Sequence, residues 1–498
     1  MNLEGLGFPG FRLCSLRIMI PSGILNVPAS PAGDRALRAK GRRTAMKTLL
    51  RGGTVVNADG CRCLDVLLEG EKILQVGRRL SGADRVADVA GCLLFPGFVD
   101  GRTHFGPADR GPAPADDFAS GTRSALRGGT TTVVDFACPD HGETLAEALA
   151  RRQREAEGRS YCDYGFHMAL PRWDETVRAQ LPEIFAAGVS SFRFSLDGGE
   201  VLDDGALYLA LKCLKRLGGA SAFHCENGAL IAAMARERLA AGKTGAASFP
   251  MSHPEYAEAE AVGRLLRIAQ AADAAVILSP ITCRESLGEV ERARKRGQSV
   301  YAATCPQYLL LDDSVYYEGE GAGRYVCTPP LRDRSQQEPL WKALRRDSIQ
   351  AVASSHRAFT LRQKEQDPED FTAIPAGLPG AENRGELLYT FGVSARRLAA
   401  EDLCRVLSEA PARLCGLYPR KGVIQPGSDA DLVVYDPRAS HVIRSDDSLS
   451  RSDYNPYEGF VTSGGVTQVY LRGRLAVDQG AVIAGPDGLY LARGKSSL

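Results

Sequence analysis

The chain lacks long apolar runs, a charge of one sign and any paired spacing of cysteines, and each absence excludes a class of function. No stretch of ~18 apolar residues occurs, so no segment reads as a membrane span. The 61 basic and 60 acidic side chains leave a net charge of +1, which gives no electrostatic case for nucleic acid or a polyanionic surface. The thirteen cysteines are scattered and odd in number. They read as core thiols of a reducing cytoplasm, not as a disulfide framework or metal cluster, and Cys61 and Cys63 share one face of a strand. No Gly-x-Gly-x-x-Gly follows the first apolar strand of the central region, no Gly-x-Ser-x-Gly elbow occurs, and no cysteine follows a known nucleophile pattern.

What remains is an ordinary globular composition, 44% apolar and 24% charged, on a chain of 498 residues that has room for two or three domains. Residues 1–45 stand apart. They carry seven basic side chains against Glu4 and Asp34, net +5, which leaves −4 for residues 46–498. Pro, Gly and Ser interrupt every apolar run there, and no signal-peptide core precedes a cleavage site. Met46-Lys-Thr-Leu-Leu-Arg-Gly-Gly-Thr-Val-Val has the look of a natural start, so residues 1–45 are expected to be a basic, disordered extension.

From Lys47 to Leu94 short β-rich runs alternate with glycine turns: Leu49–Val56, Cys63–Leu68 and Lys72–Val76. Similar strands return at Gly427-Ser-Asp-Ala-Asp-Leu-Val-Val-Tyr-Asp-Pro437 and Val466–Gly473, so both chain ends are expected to build one small β-sandwich. Between them lie eight strand candidates: Leu93–Val99, Thr131–Ala137, Asp163–Ala169, Ser190–Leu196, Ala220–Cys225, Ala275–Ser279, Ser299–Ala303 and Gln350–Ala353. Helical patterns intervene, among them Thr144–Glu157, Thr176–Ala187, Ala206–Leu217 and Pro254–Ala271. Strands alternating with helices predict an α/β fold, a (β/α)8 TIM barrel whose chemistry sits at the C-terminal strand ends. The expected domains are 46–94 (sandwich, first part), 95–415 (barrel) and 416–498 (sandwich, second part, and tail).

Five segments carry a family resemblance: Phe95-Pro-Gly-Phe-Val-Asp-Gly-Arg-Thr-His-Phe105, Asp116–Thr122, Gly128–Phe136, Phe223-His-Cys-Glu-Asn-Gly228 and Cys305–Val315, with Gly377–Arg384 beyond them. In this order they resemble the dihydropyrimidinase and D-hydantoinase family of cyclic amidohydrolases from about Lys47 to Ala484. The resemblance implies a hydroxide held between two metals, bridged by a carbamylated lysine, that attacks a cyclic amide carbonyl. Of the six implied ligand positions, His104 and His224 keep histidine and are the candidate metal residues. The others hold Arg102, Arg193, Pro280 and Ser355.

These replacements are chemically severe. A guanidinium has no lone pair to donate, and Arg193 has no neutral amine to carbamylate. Pro280 has no side-chain donor, and Ser355 removes a carboxylate. The two histidines fall short of the three protein ligands of a catalytic zinc site. The implied substrate-pocket positions have also changed: the oxyanion tyrosine falls on Gly198 and the amide-reading asparagine on Ala376, while Thr304 keeps a small hydroxyl.

The expectation is therefore a non-catalytic member that resembles, in this respect, the collapsin response mediator proteins. No catalytic residue is assigned and no cofactor is expected. The alternative is an active hydrolase of dihydropyrimidines or 5-substituted hydantoins with an altered zinc site. Arg102 and Arg193 are expected to replace the cationic role of the metals and hold the strand ends together, with Asp197, Glu226 or a bound anion as counter-charge. They also suit an anion pocket. His141, His167 and His356 are expected to be structural and Cys225 to be packing. A homotetramer is implied, or a hetero-oligomer with an active relative, with no nucleic-acid or membrane partner.

Overall fold

The computed structural model describes residues 46–106, 112–197, 202–319, 321–366 and 370–496; the basic extension and Gly198 lie outside them. Eight parallel strands run in chain order around a barrel: β1 (Phe98–Asp100), β2 (Thr130–Ala137), β3 (Asp163–Ala169), β4 (Ser191–Ser195), β5 (Ala220–His224), β6 (Val276–Leu278), β7 (Val300–Thr304) and β8 (Ala351–Val352). All eight residues of β2 are buried, as both faces of a parallel strand are covered. Between the strands come helices such as Leu145–Ala156 and Glu255–Ala272. The first of these starts at a capping box in which Thr144 accepts from the Glu147 amide and Glu147 reaches back.

The ends of the barrel sheet meet through isolated backbone contacts and one buried side chain. Thr103 bridges His356, and the His104 amide donates to the His356 carbonyl at 2.9 Å. Below them the fully buried Arg384 donates to the carbonyls of Val99 (3.0 Å) and Val352 (2.8 Å) and to Thr130 Oγ1 (3.0 Å). One side chain thus ties β1, β2 and β8, a structural role for the last segment of the resemblance.

The expected strand Leu93–Val99 is two strands. Leu93–Pro96 pairs with Thr54–Asn57 and Leu432–Asp436, while Phe98–Asp100 opens the barrel. Gly97 makes the crossing, where a Cβ would sit 2.1 Å from Thr131 Oγ1. The seven-stranded sheet that results joins strands from both chain ends, with a four-stranded sheet from Lys47–Arg51, Asp65–Glu69, Lys72–Gly77 and Arg85–Asp88 beside it. Val66, Leu68, Leu94, Leu432 and Val434 share their core, which makes the sandwich composite.

The Gly427–Asp431 motif has an electrostatic purpose. Lys421 Nζ, buried, lies 2.7 Å from Asp163, 2.5 Å from Asp431 and 3.0 Å from Asp429, and so links the start of β3 to the C-terminal sheet. Three carboxylates outweigh burial and push the lysine further up in pKa. Nine described cysteines are buried, as core thiols. Cys61 and Cys63 are a correction: both are exposed, because Gly60–Cys63 is the last strand of the seven-stranded sheet.

Candidate functional site

At the C-terminal strand ends Arg102 sits where four barrel strands converge, 6% exposed. Its Nε donates to Ser355 Oγ (3.2 Å) beyond β8, Nη1 to the Ser279 carbonyl (2.8 Å) beyond β6, and Nη2 to His224 Nδ1 (3.4 Å) at the end of β5. Burial, then the nearby charge of Arg193, lowers its pKa to about 10, so it stays charged at neutral pH. No carboxylate touches it among the described residues. Its counter-charge comes through His224, whose Nε2 lies 2.9 Å from Glu226 Oε2 and 3.2 Å from Asp197 Oδ2. A guanidinium can only donate, so Nδ1 of His224 accepts and Nε2 carries the proton toward the two carboxylates. The chain from cation to imidazole to carboxylates joins the strand ends.

Arg193 and His104 lie on a second surface, the ring of Phe136 at the end of β2. The Arg193 guanidinium is 4.8 Å from the ring centroid and the His104 ring stacks at 4.7 Å. Burial first, then Arg102 and Arg193, hold the His104 imidazole well below its ordinary pKa, hence neutral. Arg193 Nε is buried without a hydrogen-bond partner. Phe136 is a site residue that sequence reasoning quoted within a motif and did not single out.

The other expected positions divide. Ser355 holds Arg102 from a backbone φ of 51°, a left-handed conformation that strains a non-glycine residue. Pro280 is buried beside the Ser279 carbonyl that Arg102 uses. Thr304 Oγ1 is buried without a partner, and Ala376 packs against the apolar core. His356 is not among the cleft-lining residues: its Nδ1 accepts from the Gly380 and Ala381 amides (both 3.2 Å), and Nε2–H donates to Asp116 (3.0 Å). Burial works against the Asp116 charge, yet His356 and Ser450 outweigh it and bring the carboxyl down to about 2. His167, lowered to about 3 by burial, binds the Gly101 carbonyl and Ser191. His141 is exposed on the cleft rim, and Cys225 is buried in the core.

A cleft of about 560 Å³ opens over His104, Phe136, Arg193 and Asp197. Burial works against the Asp197 charge, but His224, Ser195 and Arg193 outweigh it and lower its pKa. Asp197, His224 and Glu226 place three donor atoms within 4.8 Å of one another, a geometry that could hold one metal ion. The arrangement fits a two-metal centre poorly. The Nδ1 lone pair of His224 is engaged by Arg102, so binding a metal through Nε2 would require an imidazolate or the departure of the guanidinium. A fixed positive charge also already occupies the junction of β1, β5, β6 and β8.

The amidohydrolase family model matches residues 93–476. The chain is 36% identical over 460 residues to a D-hydantoinase of Geobacillus stearothermophilus, covering 90% of this chain and 97% of the relative. This chain belongs to the amidohydrolase family. A D-hydantoinase of Streptomyces coelicolor is 38% identical over 451 residues, covering 87% and 95%. The crystal structure of a dihydropyrimidinase from Brevibacillus agri superposes with a TM-score of 0.89 at 34% identity, across 91% of this amidohydrolase and all of that chain. The similarity to hydantoinases extends over barrel and sandwich together. No helix among the described residues is long and apolar enough to cross a membrane.

Proposed function

We propose that this amidohydrolase uses the hydantoinase scaffold to bind a small ligand and does not run two-metal ring opening. The carrying observation is Arg102, which engages His224, Ser355 and the Ser279 carbonyl at the strand ends. A scaffold with a guanidinium at that junction has no means of activating water there through a pair of cations. We further propose a cytoplasmic homo-oligomer, a setting that suits nine buried thiols; co-purification with an active relative would instead support a hetero-oligomer.

The test is to purify the full chain, measure bound zinc and manganese by elemental analysis, and assay dihydrouracil and a 5-substituted hydantoin. A folded protein with far less than one ion per chain and no ring opening is the expected result. Stoichiometric metal with turnover would overturn it.

One observation favours a second reading, an active hydrolase with a single-ion site. Asp197, His224 and Glu226 supply three donors, provided Arg102 turns away from Nδ1. That reading predicts one ion per chain, lost together with ring opening in His224→Ala.

A further inference from the structure

We propose that the cleft over Phe136 binds a small organic carboxylate carrying an apolar side group, with the carboxylate on Arg193. The proposal rests on reading the cleft as a binding site and adds the class of ligand.

The argument is a charge account of the cleft wall. Its acidic members are each partnered: Asp135 with Arg152 at 3.0 Å, Asp140 and Glu143 with Arg151 at 3.4 and 3.0 Å, and Asp197 with His224 at 3.2 Å. Of its cations, Arg152 is held by Asp135 and Arg172 lies 3.4 Å from Asp174. Arg357 stacks over Phe359 at 5.4 Å. Arg193 differs. Among the described residues no carboxylate lies within salt-bridge reach of it, Asp197 acting on it only from beyond that distance; its Nε is buried without a partner, and its guanidinium rests on the Phe136 ring. A cation so placed gains most from an anion that arrives with the ligand, because a planar guanidinium matches a carboxylate with two parallel hydrogen bonds. The His104 ring stacks on the same Phe136 ring. Beyond it Leu145, Leu170, Val177, Leu202 and Leu207 line the space, which suits an apolar substituent in a cleft of about 560 Å³.

The experiment titrates the full chain, in the presence of a chelator, with phenylacetate, phenylacetamide, acetate and inorganic phosphate, read by calorimetry. Phenylacetate should bind about tenfold or more tightly than its neutral amide, the scale of a charge-assisted pair. Acetate and phosphate should bind more weakly than phenylacetate. Arg193→Gln should bring acid and amide to the same affinity, while Arg193→Lys should keep part of the preference. Equal binding of acid and amide by the unaltered protein overturns the proposal, and this arm needs no variant to fold. So does phosphate binding without phenylacetate binding, or an acid preference that survives Arg193→Gln in a folded variant. Stoichiometric metal in the untreated protein would overturn the non-hydrolytic reading and leave this result standing, so the two failures are distinguishable.

Discussion

Replacing Arg102 by methionine keeps much of the side-chain volume and removes the charge that joins four strands. Three hydrogen bonds from the cation are lost, to Ser355, Ser279 and His224. At roughly 1.5–3 kcal/mol for a hydrogen bond to a charged group, with the 3.4 Å contact at the low end, the loss is about 5–7 kcal/mol. Against this, burial has lowered the guanidinium pKa from 12.5 to about 10, a bias of roughly 3 kcal/mol against the charged form that the variant no longer carries. The net expectation is destabilisation by about 3 kcal/mol, which for a chain of this length shifts Tm by about 3 °C. The origin of the loss can be isolated. With Arg102 gone, the His224–Glu226 contact no longer has a cation behind it, so Glu226→Gln should cost less in the methionine background than alone. The coupling in a double-mutant cycle, measured by urea unfolding, should be roughly 1–3 kcal/mol. A methionine variant as stable as the unaltered protein, or strictly additive single variants, would refute the idea that this cation holds the strand ends together.

Other outcomes follow from the same geometry. Ser355→Asp places a carboxylate against Arg102 Nε, now 3.2 Å from the hydroxyl, and should raise Tm without raising metal content; acquired metal in this single variant counts against the account. Lys421→Met leaves Asp163, Asp429 and Asp431 around a missing cation and should cost about 3–5 kcal/mol, read as a fall in the urea midpoint. Lys364, buried and donating to the Val326 and Pro375 carbonyls at 2.7 Å, is lowered by burial to about 7. Between pH 7 and 9 the unfolded chain keeps that proton while the folded one releases it. The lysine's contribution to stability should therefore rise with pH by up to about 2–3 kcal/mol, a slope that Lys364→Met removes.

The barrel was legible because each strand is a short apolar run bounded by turn residues and separated from the next by a helical period. The split of Leu93–Val99 was not, because periodicity describes burial and says nothing of which sheet a strand joins. That choice is made at Gly97, by the approach of Thr131. At the site, the replaced positions and their acidic counter-charges, Asp197 and Glu226, could be named from motif order. The platform under Arg193 and His104 could not, because Phe136 looks like any apolar strand residue until its neighbours are placed. Asp116 and Asp117 are adjacent in one motif yet do different work: the first fixes His356, and the second caps Phe118–Arg127. Lys364 left no signal at all, since a lysine at the end of a short helix reads as exposed.

Whether fixed side-chain cations have taken over from divalent ions is decided most directly by weighing the metal. Purified under conditions that retain zinc and manganese in an active hydantoinase handled in parallel, this protein should carry far less than one ion per chain. Two tightly held ions per chain would contradict the account.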